Sequence, residues 1–142
     1  MSIRLDNAGE ARVVAAIAAA EAGNRGEVRV HIERRSPASP LMSARRWFFE
    51  LGMHQTATDT GVLLYVATGD RRAAVFAGGA LHAEVEPERW QAVVDAVTAG
   101  YGAGRPADGL CDGLARVGDI LRAALPGEDV HGNELPDAVT RS

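Results

Sequence analysis

The sequence predicts an α/β protein: a three-layer α/β/α sandwich with a small mixed sheet of about three to four strands and helices on both faces. Three observations predict it. Segments with helical and strand periodicity succeed one another in the order helix, strand, helix, strand, strand, helix, helix. The run Gly61-Val-Leu-Leu-Tyr-Val-Ala67 is almost wholly apolar, as a central strand covered on both faces must be. Pro87 and Pro106 each stand at the head of a long apolar stripe, where proline opens a helix without losing a hydrogen bond.

In chain order, residues 8–22 are alanine-rich with Val13, Val14, Ile17 and Ala20 at helical spacing, and Gly23 to Gly26 stop that helix. Val28, Val30 and Ile32 alternate with Arg29, His31 and Glu33, the period of a strand with one solvated face. After a loop at 34–40 comes a helix with Leu41, Ala44, Phe48 and Leu51 on one stripe, closed by Gly52. The central run at 61–67 turns at Thr68-Gly-Asp-Arg71 into a strand from Arg72 to Ala77, joined to it as a hairpin. A short extended piece follows around Leu81–Val85. The helix after Pro87 carries Trp90, Val93, Val94, Val97 and Tyr101, and the one after Pro106 carries Leu110, Leu114, Val117, Leu121 and Leu125. Residues 1–126 read as one domain, and 127–142 as a polar, mobile C-terminal tail.

The 142 residues, 46% hydrophobic and 24% charged, suffice for one core without disulfides or a structural metal. A net charge of −4 opposes nucleic acid as a partner, because a phosphate backbone calls for a basic stripe. No run approaches the ~18 apolar residues of a membrane span, and the N-terminus lacks the basic start and apolar core of a signal peptide. These features predict a soluble, cytoplasmic protein with no membrane insertion. Cys111 has no partner for an internal disulfide and reads as a small core residue, as Trp47 and Trp90 read as packing anchors.

Gly26-Glu27-Val28-Arg29-Val30, Leu51-Gly52-Met53-His54-Gln55-Thr56, Gly61-Val62-Leu63-Leu64-Tyr65-Val66 and Asp70-Arg71 resemble the TPM domain family in its short stand-alone form. So do Leu81-His82 ahead of Trp90, the glycine-bearing last helix from Gly109 to Leu121, and Asn133-Glu-Leu-Pro136 in the tail. Asp59-Thr60 stands where the family carries a basic residue and Asn, and Ala80 where it carries Gly. The resemblance implies the same fold. It also implies a choice among roles: a phosphatase, a binder of divalent metal such as calcium or magnesium, or an accessory factor.

The topology sorts the polar residues onto two edges of the sheet. At the carboxyl edge, where open α/β sheets bind ligands, lie Glu33, Arg34, Arg35, Asp70, Arg71 and Arg72. Arg34, Arg35 and Arg71 are candidates for holding an anion through forked hydrogen bonds, and Asp70 with Glu33 for holding a hard cation. The plainer alternative is solvated loop charge, with Asp70 shaping its turn. The amino edge collects Glu27, His54, Thr56, Asp59, Gly78, Gly79 and His82. Here His54, Asp59 and Glu27 are the catalytic candidates, and Glu27, Asp59 and His82 the metal candidates. The paired glycines offer an anion nest or merely a turn.

Known phosphatase chemistries are hard to place on this chain. Val117, not arginine, stands six residues after Cys111, and there is no Asp-x-Asp, no Gly-x-Ser-x-Gly and no phosphate loop ending in Lys. Three functions remain open: a non-catalytic interaction or accessory module with a protein partner, a weak metal-assisted hydrolase of a small phosphate ester, and a small-anion-binding protein.

Overall fold

The structure, a computed structural model, describes residues 4–55, 59–127 and 138–142. Asp6 begins the first helix, α1 (Asn7–Glu21), by accepting the Gly9 N–H at 2.6 Å. Strand β1 (Glu27–Glu33) follows, then α2 (Pro40–Glu50), where Ser39 caps the N-terminus and Pro40 supplies a preset first turn. A single 3₁₀ turn at Met53–Gln55 leads to β2 (Gly61–Ala67) and β3 (Arg72–Ala77). Three helices come next, α3 (Gly79–Glu84), α4 (Pro87–Gly102) and α5 (Pro106–Ala124), and then the short strand β4 (Val139–Arg141).

The sheet order is β3-β2-β1-β4. β1 runs parallel to β2, from Glu27 beside Gly61 to Glu33 beside Ala67, and parallel to β4 on its other side. β3 returns antiparallel to β2, as a hairpin must. Val28, Val30, Val62, Leu64 and Val66 face the main core, built with Val13 and Ile17 of α1, Val93 and Val97 of α4, and Leu110, Leu114 and Leu121 of α5. The opposite face, with Leu63, Tyr65 and Ala67, is covered by Ala44, Trp47 and Phe48 of α2. Each of these side chains contributes on the order of 1.5–3 kcal/mol by leaving water. Three layers result because both faces of β2 are apolar and each demands a cover.

Two local readings of the sequence are corrected. Residues 79–84 form a helix, not an extended piece, with Leu81 buried beneath it. His31 does not lie on a solvated face: it is fully buried and stacks on Trp47 with ring centroids 4.2 Å apart. The cause is Trp47 of α2, whose ring covers the imidazole. Within the segment read as a tail, Val139–Arg141 pairs with β1; the Asn133–Pro136 motif lies outside the described residues.

Candidate functional site

At the amino edge the predicted residues stay apart. Glu27 opens β1 and is buried, its N–H bound to the Thr60 carbonyl at 3.1 Å. Asp59 adopts a φ of 53°, and its Oδ2 accepts the Gly79 N–H at 3.0 Å. Gly78 must be glycine because a Cβ there would collide with the Asp59 backbone. The two glycines therefore receive a side chain from their own chain. His54 lies against the Phe49 ring at 4.9 Å, and His82 is exposed on α3. Thr56 lies outside the described residues. Among the described residues, no three His, Cys, Asp or Glu side chains converge as a metal set. Calcium takes six or more oxygen ligands and magnesium a near-ideal octahedron, so the described side chains do not by themselves fit either ion.

At the carboxyl edge the carboxylates are engaged separately. Glu33 accepts from the Tyr65 hydroxyl and, at 3.0 Å, from the Ser142 hydroxyl. Ser142 Oγ also lies 2.9 Å from His31 Nε2, and Thr140 Oγ1 lies 2.7 Å from His31 Nδ1. Since Ser142 donates its proton to Glu33, it accepts from Nε2–H; the Thr140 hydroxyl has Nδ1 at 2.7 Å and the Val30 carbonyl at 3.4 Å as acceptors, and giving its proton to the nearer one leaves the imidazole neutral. Burial acts in the same direction, holding the His31 pKa below the usual range, while Glu33 pulls it up and Arg29 pushes it down. Asp70 accepts the Ser36 N–H at 2.7 Å and pairs with Arg35 at 3.2 Å. Glu33 and Asp70 thus serve two different networks.

The anion candidates divide between two depressions. Arg34 and Arg35 line a cleft of about 670 Å³ with Arg4, Arg141 and Tyr101. Arg71, also at positive φ (53°), lines a different groove of about 820 Å³ with Arg72 and the rest of β3. That groove runs along the open edge of the sheet, between the start of α2 and the flank of α4. Gly78 donates to the Gly61 carbonyl at 2.9 Å, which fixes the hairpin phase. In antiparallel pairing the bonded positions alternate, so the N–H and C=O groups of Ala73, Val75 and Ala77 point away from β2. Trp90 borders the groove, and its buried indole N–H has no hydrogen-bond partner among the described residues.

Sequence reasoning missed Arg4, Tyr101 and Arg141 as neighbours of Arg34. Tyr101 reads as one more member of an apolar stripe, and Arg141 sits in a segment without pattern. No local signal joins them, because the cleft is assembled from both ends of the chain.

A family model described as the TPM domain matches residues 4–120. No curated protein matches the chain at a significant level. Among solved structures, the chain is similar to the BA42 protein of the psychrophilic bacterium Bizionia argentinensis, with 29% identity, a TM-score of 0.87, and 97% of this chain and 95% of that one covered. It shares its fold with the N-terminal domain of a protein from P. gingivalis, at 20% identity, a TM-score of 0.70 and coverage of 85% and 78%. The N-terminal domain of a Corynebacterium glutamicum protein has the same fold, at 13% identity, a TM-score of 0.65 and coverage of 83% and 74%.

Proposed function

Because this chain belongs to the TPM domain family, whose fold leaves function to the individual site, we propose that it is a non-catalytic interaction module that receives an extended segment of a partner protein along β3. The observation that supports this reading is the groove beside the open edge of the sheet. Its wall is a strand of six residues whose outward amides and carbonyls, at Ala73, Val75 and Ala77, match what an added strand offers. Trp90 brings a buried indole N–H without an acceptor to the same groove. Arg71 and Arg72 stand at one end, so the segment carries acidic residues there.

Selection of phage-displayed random nine-residue peptides against the full chain tests this reading. Selected peptides are expected to shift the amide resonances of Ala73, Val75 and Ala77. Val75→Pro removes an outward N–H without cutting the β2 ladder, and should weaken those peptides about tenfold while the far-UV CD spectrum is kept. Peptides indifferent to Val75→Pro would sink the idea. Calorimetry with calcium, magnesium, manganese and zinc, paired with a phosphate-ester assay, distinguishes the hydrolase alternative. Metal-dependent turnover lost on Glu27→Gln or Asp59→Asn would replace the present reading.

A further inference from the structure

The cleft at the carboxyl edge lies apart from the β3 groove and carries an independent set of observations. Four arginines line it, Arg4, Arg34, Arg35 and Arg141, and no acidic residue does among the described residues. Arg35 is partly offset by Asp70 at 3.2 Å, and Arg141 by Glu10 at 2.5 Å. The Arg34 guanidinium makes no ion pair among the described residues. Gly69 lets the turn close against this segment: its N–H reaches the Arg34 carbonyl at 2.6 Å, and a Cβ would sit 2.7 Å from that oxygen.

Tyr101 is the second observation. It closes the apolar stripe of α4, is only 6% exposed, and its hydroxyl is buried with no hydrogen-bond partner among the described residues. A buried hydroxyl left unpaired costs roughly 1–3 kcal/mol, so native structures rarely keep one without use. It lines the arginine cleft. Burial pushes its pKa up to about 12, against a small downward pull from Arg141, so near neutral pH the hydroxyl keeps its proton and can only gain by donating it.

We propose that this cleft binds a small multivalent oxyanion, with the Tyr101 hydroxyl donating to it from below and Arg34 and Arg141 pairing with it from the rim. Guanidinium forks match the oxygens of phosphate and of carboxylate alike, so the ligand is defined by shared chemistry: two or more closely spaced anionic oxygens. The floor beside Tyr101 is apolar, with Leu5 and Ile32. Low polarity there strengthens a charge-assisted hydrogen bond from the hydroxyl.

Calorimetric and amide-NMR titrations of the full chain with pyrophosphate, citrate and acetate test the site. Saturable binding of pyrophosphate or citrate is expected, well above that of acetate and weakening as sodium chloride is added. Preference for pyrophosphate assigns a phosphate ligand; preference for citrate assigns a polycarboxylate. Arg34→Gln should lower the affinity about tenfold. Tyr101→Phe should lower it several-fold while raising the melting temperature, a combination that a purely structural tyrosine would not give. Three results would overturn the proposal: no saturation by either multivalent anion, wild-type affinity in Tyr101→Phe, or an equal loss on Arg116→Gln, which removes an exposed guanidinium of α5.

Discussion

His31 shows how a single side chain ties the fold to pH. Its imidazole is buried under Trp47 and held neutral between two hydroxyls, with its pKa lowered from the ordinary value. In the unfolded chain it takes up a proton near pH 6.5. The unfolded state therefore binds more protons than the folded state as the pH falls through that value. The stability this site contributes is complete above about pH 6.5 and is lost progressively below it. Urea denaturation at pH 7.5, 6.5 and 5.5 should show this decline, and His31→Gln should flatten it. The alternation of Arg29, His31 and Glu33 with valine and isoleucine points to a solvated face, and it misleads for a definite reason. Alternation reports polarity, not exposure, and the covering helix is contributed from elsewhere in the chain. The apolar run at 61–67 held the better clue, since its two covered faces require a layer on the side that also carries His31. The engagement of Glu33 by Tyr65 and Ser142 had no such clue, because it joins residues far apart in sequence.

Helices were legible where they were long. The stripe of Leu110, Leu114, Val117 and Leu121 identifies α5, whereas α3 has six residues, too few for a helical period to emerge, and starts at a glycine. What the sequence pattern does not convey is how closely α4 and α5 approach. A Cβ on Gly109 would lie 2.8 Å from Gly100 Cα and from the Val97 carbonyl oxygen, both backbone atoms that cannot rotate away. Gly109→Ala should therefore destabilise the protein by about 1–3 kcal/mol in chemical denaturation. Gly102, in the last turn of α4, has open space around its Cα. Gly102→Ala should be neutral or should stabilise by about 0.4–1 kcal/mol, since alanine restricts the unfolded chain at no cost in contacts. Equal effects of the two substitutions would show that helix propensity, and not the close approach, governs this pair.

At the scale of the whole molecule, composition and element order were enough to foresee the layers and the parallel pairing of β1 with β2. The fourth strand was out of reach: three residues carry no period, and β4 exists only because β1 offers it an edge. Deleting residues 139–142 removes both hydroxyl partners of His31 and the Arg141–Glu10 ion pair. The truncated chain should keep its helical CD signal and lose about 1–3 kcal/mol of stability in a denaturant titration. The contact between His31 and Thr140 spans 109 positions. With three residues at the edge of the sheet, β4 is held by few bonds and is among the first elements to fray. Arg141, which borders the arginine cleft, travels with it. The cleft opens whenever β4 frays, and an anion seated between Arg141 and Arg34 would act as a clasp that holds that strand against the sheet and away from proteases.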